Sequence, residues 1–254
     1  MADQFLADDD GVYAARVRKG VGVVGGAFFL TRDLRKAGGQ VGLPPWPAYF
    51  LGRCGVLGQA NPDVVASIVG FFPLDFVEDC WLQVQQVDLD QGMEVCLSAL
   101  DEWSNNTLGG FEGVERLGEL AGKAAREASP VGAPLFAGWR GMPERPTPEA
   151  NAVQSLLALR ELRGAMHLSA ILAADITPRE AIILGGGGAS NASFFGWEDL
   201  EVAPERESQA AKARSEAERR TDRMAARTWT ALGLDEQAEF ASLLDGALDH
   251  MNID

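Results

Sequence analysis

Apolar residues recur at three- and four-residue intervals along most of the chain, with charged residues on the opposite faces. This spacing is typical of amphipathic helices that bury one side. It predicts helices in the segments 61–72, 111–127, 147–174, 208–233 and 235–251. The alternation expected of strands is scarce, so the pattern predicts an all-α, mainly helical fold.

Helix-capping residues support these boundaries. Asn61 precedes Pro62, and the segment "TPRE" has the form of a capping box with Thr177 as N-cap and Glu180 three residues later. The apolar "AIIL" that follows is therefore predicted to be helical, and Gly185 to end that helix. A strand leading into a phosphate-binding loop is disfavoured, because no lysine follows the glycines. Asp235 is the candidate N-cap of the last helix.

One segment interrupts the helical pattern. Residues 129–149 contain five prolines and three glycines, which break helices. We therefore predict two packed helical lobes, residues 1–130 and 131–254. "FFPLDFVED" at 71–79 resembles "FFGWEDLE" at 194–201, and this short similarity has two explanations, duplication of the lobes or chance.

Charge and composition restrict the partners. The chain carries 37 acidic and 22 basic residues, a formal charge of −15, which repels phosphate backbones and so disfavours DNA. The acidic start "MADQFLADDDG" lacks the pattern of a targeting segment, and no run is long enough to span a membrane. We expect a cytoplasmic protein. The three cysteines are widely spaced and predict buried thiols, not a metal site.

The segment 159–173, "LRELRGAMHLSAILA", contains one of only two histidines, His167. Arg160, Gly164 and His167 share a helical face with apolar residues, so this face is predicted to point inward. An inward arginine needs a carboxylate or a bound anion as partner. Gly164 lacks a side chain, which indicates close approach of another group: either a packed helix, with His167 as a core residue, or a ligand in the notch.

These residues support a binding hypothesis. Arg53, Arg160 and His167 are expected to converge on a cavity between the lobes that is lined by aromatic residues. A cavity with apolar walls and few polar groups is typical of a small-molecule site. The first hypothesis is non-enzymatic binding of a small apolar or aromatic ligand, either neutral or anionic. The sequence does not identify a cofactor. The candidate ligand-binding residues are His167, Arg160, Gly164, Arg53, Tyr49 and Phe72.

Several segments resemble a mainly actinobacterial family of helical proteins that is labelled winged-helix or MarR-like. The matching segments are "YFLGRCGVLG", "NPDVVASIVGFF", "APLFAGW", "LRELRGAMHLSAI" and "TDRMAARTWTALG". Arg160, Arg163, Gly164 and His167 match the family pattern R-x-x-R-G-x-x-H, whereas Ala165 and Met166 depart from its polar pair. The resemblance implies that the second lobe is a degenerate winged-helix-like unit.

Two alternative functions remain open. The first is an enzyme of secondary metabolism with His167 as general base and Arg160 stabilising negative charge. The second, implied by the resemblance, is a MarR-like DNA-binding transcriptional regulator. Against the regulator, no wing follows the acidic candidate recognition helix "FFGWEDLE", and residues 205–227 have a net charge of only +2. A homodimer formed through the long helix or the last helix is compatible with each function.

Overall fold

The computed structural model describes residues 11–252, and its regular elements in this range are all helical. The prediction of an all-α fold is confirmed. Residues 1–10, on which the expectation about targeting segments depends, lie outside the described range. The α-helices are α1 (Val12–Gly26), α2 (Arg32–Gln40), α3 (Pro45–Cys54), α4 (Pro62–Ile68), α5 (Leu74–Val84), α6 (Leu89–Leu108), α7 (Val114–Glu127), α8 (Pro134–Gly141), α9 (Pro148–Ala173), α10 (Pro178–Ile183), α11 (Gly188–Phe194), α12 (Pro204–Trp229) and α13 (Leu234–His250).

Helix α9 lies at the centre of the structure. It packs against helices α1, α6, α7, α8 and α12, and its first half is buried because alanine, valine and leucine occupy most of its positions. The main hydrophobic core contains residues from both sides of the predicted boundary at residue 130. The division into two lobes stays a prediction. The segment 129–149, where prolines and glycines interrupt the helical pattern, contains the short helix α8, which begins with Pro134 at its first position.

The predicted caps are mostly present. The Asn61 side chain accepts a hydrogen bond from the Asp63 N–H, and Thr177 and Glu180 form the reciprocal capping box at the start of α10. The prediction for the last helix was wrong by two residues. Helix α13 follows Gly233, whose N–H donates to the Glu236 carboxylate at 2.9 Å.

A second, smaller core supports the C-terminal helices. It joins the end of α9 to α10 and α12 through small and branched residues, namely Ala170, Ile171, Ile176, Ala181, Ala210 and Ala217. Within residues 11–252, no helix has the length and apolar character needed to cross a membrane.

Candidate functional site

Arg53 and Arg160, two of the predicted site residues, meet at one buried carboxylate. The Arg53 guanidinium on α3 donates to both oxygens of Glu161 on α9, with Nε–Oε1 at 3.0 Å and Nη2–Oε2 at 2.9 Å. Arg160 forms a second ion pair with Glu161, and the Tyr49 hydroxyl accepts from Arg53 Nη1 at 3.1 Å. Of the two partners expected for an inward arginine, a carboxylate or a bound anion, the structure shows a carboxylate.

The electrostatics of this group follow from its burial. Only 2% of the Glu161 side chain is exposed. Burial by itself raises the pKa of Glu161, but the positive charges of Arg53 and Arg160 outweigh burial and hold this pKa below its usual value. The Glu161 carboxylate is therefore ionised at neutral pH and joins α3 to α9.

His167 lies two turns further along α9 and has different partners. The Thr221 hydroxyl on α12 donates to the Ala217 carbonyl at 2.7 Å, so its oxygen accepts from His167 Nδ1, 3.0 Å away. The imidazole stacks on Phe71 with ring centroids 5.6 Å apart, and Glu218 lies 3.5 Å from Nε2. Burial lowers the pKa of His167 below its usual value. His167 thus connects α9, α12 and the turn after α4.

The other two predicted residues also have defined positions. A Cβ at Gly164 would meet no atom within 4 Å, so the expected close approach of a neighbouring helix is not present there. Phe72 is buried in the main core. The structure therefore brings Arg53, Tyr49 and Arg160 together, and the Phe72 ring lies against Tyr49 with centroids 5.7 Å apart. Of the predicted site residues, His167 has separate partners.

Several pairs of consecutive helices are joined by short turns, and two of these pairs, α4–α5 and α10–α11, adjoin the similar segments 71–79 and 194–201. The first is α4–α5, joined by residues 69–73, and its second helix packs through Val77 and Trp81 into the main core. The Trp81 indole donates to the Ala60 carbonyl at 2.9 Å. Towards solvent, α5 presents Asp75 and Asp79. The exposed side of α5 is therefore acidic.

The second pair is α10–α11, joined by residues 184–187. Ala192 on α11 is fully buried, whereas Ser190 and Ser193 are exposed. Helix α11, with the sequence "GASNASF", contains no charged side chain. The prediction that "FFGWEDLE" is the recognition helix was wrong. Helix α11 ends at Phe194, the first residue of that segment, and its other residues come from the stretch 188–193 that precedes it.

Polar contacts attach α10–α11 to α12. Arg206 donates from Nε to Glu180 Oε1 at 2.7 Å, and Arg214 donates from Nε to the Ala181 carbonyl at 3.0 Å. The Thr177 N–H and hydroxyl and the Arg206 guanidinium together outweigh burial and lower the pKa of Glu180. The position of α10 thus depends on an ionised carboxylate.

The turn between α4 and α5 contacts the segment that follows α11. The Phe72 and Phe195 rings have centroids 4.7 Å apart, and the Trp197 indole donates to the Phe71 carbonyl at 2.9 Å. We call this contact the aromatic junction. The similarity between segments 71–79 and 194–201 therefore occurs at positions that touch in the fold.

The cysteines and the remaining acidic residues do not form a metal site in the described part of the chain. Between residues 11 and 252, no group of three or more His, Cys, Asp or Glu side chains could hold a metal ion. All three cysteines are buried, and burial raises the pKa of the thiols of Cys54 and Cys96 to about 12.

Two surfaces were missed in the sequence. The first is the exposed side of α11, whose signal is the absence of any acidic residue between 181 and 197. The second is a row of arginines on α12, Arg220, Arg223 and Arg227, whose signal is the i, i+3, i+7 spacing.

Comparison with known proteins gave one informative result. No curated protein and no solved structure matches the chain. The profile of a helix-turn-helix family, however, matches residues 14–252, nearly the whole chain. This finding overturns the first hypothesis, binding of a small molecule in a pocket between lobes, and it also overturns the expectation that DNA is disfavoured as a partner.

The physical reason for both errors is the same. Net charge sums all ionised groups, whereas contact with DNA depends on the local surface that approaches the duplex. The arginines assigned to a ligand both pair with the Glu161 carboxylate, and the uncharged α11 was not recognised as a helix. With this family profile over almost its full length and an all-helical fold, the chain belongs to a helix-turn-helix family.

Proposed function

We propose that the protein is a DNA-binding transcriptional regulator that contacts duplex DNA through the α10–α11 pair. The observation that carries this proposal is the family match over residues 14–252. In helix-turn-helix proteins the second helix of the motif lies in the major groove and contacts base edges. A cytoplasmic location, as predicted from the sequence, gives such a protein access to DNA.

The surface of α11 supports its role as the second helix of the motif. Ser190 and Ser193 are exposed, and serine hydroxyls both donate and accept hydrogen bonds at base edges. Asn191, also on α11, is partly exposed and belongs to the residue type that pairs with adenine. Because α11 has no carboxylate, it does not itself repel the phosphates.

The alternative pair is less suitable. Helix α5 exposes Asp75 and Asp79, and carboxylates next to the phosphate backbone raise the free energy of the complex. The main-core contacts of Trp81 explain α5 as a structural element. The charge difference between the two helices therefore favours α11.

The test measures binding of duplex DNA by the purified protein. A pool of random 30-bp duplexes is enriched on the native protein, and the affinity of the selected duplex is measured by fluorescence anisotropy at about 0.15 M salt. In the test variant, Ser190→Glu and Ser193→Glu are combined. We expect the Kd to rise at least about tenfold, since two carboxylates face the DNA.

The control variant combines Gln83→Glu and Gln86→Glu, two exposed positions in and just after α5. It adds the same charge to the other helix pair and should bind nearly as well as the native protein. An equal loss in both variants would argue against α11 as the contact. Failure of the native protein to enrich any duplex would refute the DNA-binding function.

A further inference from the structure

The C-terminal half of α12 carries three arginines on one face. Arg220, Arg223 and Arg227 follow one another at i, i+3 and i+7, so their side chains project in similar directions. At 1.5 Å per residue the row is about 10 Å long. It lies on a part of α12 that is C-terminal to the Arg206 and Arg214 contacts with α10.

Two of these arginines lack a protein counterion. Arg223 pairs with Glu216 at 3.1 Å, but neither Arg220 nor Arg227 forms an ion pair with a carboxylate within residues 11–252. In a chain with a formal charge of −15, a carboxylate partner is easily available to an arginine. Their lack of one indicates a surface that is suited to an external anion.

The surroundings support the arginine side chains. The row borders an open cleft of about 690 Å³ between α12, α9 and the end of α7. The apolar residues of this cleft are Leu162, Met166, Met224 and Ala128, and Glu127 is its one carboxylate. Arginine stems pack on apolar surface while the guanidinium groups remain in water. The cleft therefore supports extended side chains.

The length of the row allows it to contact more than one phosphate of a nucleic-acid backbone. One DNA strand carries a phosphate about every 3.4 Å along the helix axis, so a row of about 10 Å extends over roughly three phosphates. Guanidinium groups match phosphate oxygens in bidentate geometry. An acidic protein partner would use the same charges but offers no regular repeat.

We propose that the row Arg220, Arg223 and Arg227 binds the phosphate backbone of duplex DNA, as a second contact separate from the base contacts of α11. This inference rests on the DNA-binding function proposed above. Backbone contacts fix the orientation of a protein on the duplex and carry no sequence information themselves. The row therefore contributes to affinity for every sequence.

The experiment measures the salt dependence of DNA binding. The Kd of the native protein for its selected duplex, and for an unrelated duplex, is determined between about 50 and 300 mM salt. In the variant Arg220→Gln/Arg227→Gln, the slope of log Kd against log salt should decrease by about 1 to 2, since each lost phosphate contact removes about 0.9. Affinity for both duplexes should fall by the same factor.

Two further variants control for charge and folding. Arg16→Gln/Arg116→Gln removes the same charge from exposed arginines that pair with α13, and it should keep the native slope. Arg220→Lys/Arg227→Lys retains the charge and should restore most of the slope, which a purely structural role would not predict.

The outcomes separate the two proposals. Absence of duplex binding by the native protein would refute the DNA-binding function, and this inference with it. Native binding with an unchanged slope in Arg220→Gln/Arg227→Gln would overturn this inference alone. The same unchanged slope, together with binding of a ten-residue poly-glutamate peptide that requires both arginines, would assign the row to an acidic protein partner instead.

Discussion

The pairs α4–α5 and α10–α11 have the same form but are held in different ways. Helix α5 enters the main core through Val77 and Trp81, whereas α10 rests on the smaller core and on ionic contacts to Arg206. The exposed residues differ too, with carboxylates on α5 and serines on α11. The apolar attachment of α4–α5 and its acidic surface indicate that this pair has a structural role.

This difference between the pairs indicates which of them is better placed to contact a partner. A helix that packs deeply into a core has few side chains left for a partner. Helix α11 has one buried residue, Ala192, and its C-terminal end is attached through the ring contacts of Phe194 and Phe195. Regions with few buried apolar contacts also open more easily. The α10–α11 pair should therefore be both the contact surface and the less stable of the two.

The largest effect is expected from the tryptophans of the two pairs. Trp81→Ala should lower the free energy of unfolding by about 3–5 kcal/mol, because it empties a fully buried site. Trp197→Ala, in the other pair, should cost about 1–3 kcal/mol, since Trp197 is only partly buried and mainly loses a hydrogen bond and contacts. Urea unfolding followed by circular dichroism measures both. Equal losses would contradict the different attachment.

The second prediction concerns the caps. Glu180→Gln should lower stability by about 1–3 kcal/mol, because it removes a charged hydrogen-bond acceptor of Arg206. The pKa of Glu180 is lower in the folded state, so its contribution is fully present above the unfolded pKa. The contribution is lost as the pH falls through the folded pKa.

The control is Asn61→Ala in the other pair, which should cost about 0.5–2 kcal/mol. Asparagine does not titrate, so this loss should be the same at pH 7 and at pH 4. Urea unfolding of both variants and of the native protein at pH 7 and pH 4 measures these losses in the free energy of unfolding. A Glu180→Gln deficit of equal size at both pH values would contradict the role of its charge.

The third prediction concerns His167, which contacts the turn of the first pair through Phe71 and, through Thr221, contacts α12, to which the second pair is attached. Its pKa is lower in the folded state than its usual value of 6.5. Its contribution to stability is therefore present above about pH 6.5 and decreases as the pH falls towards the folded pKa. His167→Gln should remove this part of the pH dependence and cost about 1 kcal/mol at pH 7. The free energy of unfolding of the native protein and of the variant is measured by urea unfolding between pH 7 and pH 5. The same pH dependence in both proteins would show that His167 does not titrate differently on folding.

The smallest effect is expected from the surface of α5. Asp75→Asn/Asp79→Asn should change the free energy of unfolding by less than about 0.5 kcal/mol, because both side chains are exposed. Affinity for the selected duplex at about 0.15 M salt should change less than about threefold, since distant charges are screened. A large gain in affinity would place α5 next to the DNA.

Local signals predicted much of the fold. Thr177 and Glu180 lie three residues apart and determine the start of α10 by themselves. Helix α11 could not be predicted in this way, because glycine, serine and asparagine are poor helix formers. Its stability comes from tertiary contacts such as that between Phe194 and Trp46, with ring centroids 5.3 Å apart.

The site was harder to predict than the fold. The sequence indicated that Arg160 lies on an inward face, but Arg53 reaches the same carboxylate from 108 positions away along the chain. Such a pair depends on the tertiary arrangement of α3 and α9, which periodicity does not reveal. The uncompensated charges of Arg220 and Arg227 likewise become apparent only when the ion pairs of their neighbours are known.

The aromatic junction has a consequence for the DNA sites that one chain can occupy. Helix α5 begins two residues after Phe72 and α11 ends one residue before Phe195, and these two rings are in contact. Half-sites read by paired recognition helices lie one helical turn apart, about 34–36 Å. Two helices whose ends meet at the junction do not extend over that distance. In the proposed DNA-binding function, a single chain therefore reads one half-site, and a palindromic operator requires two chains.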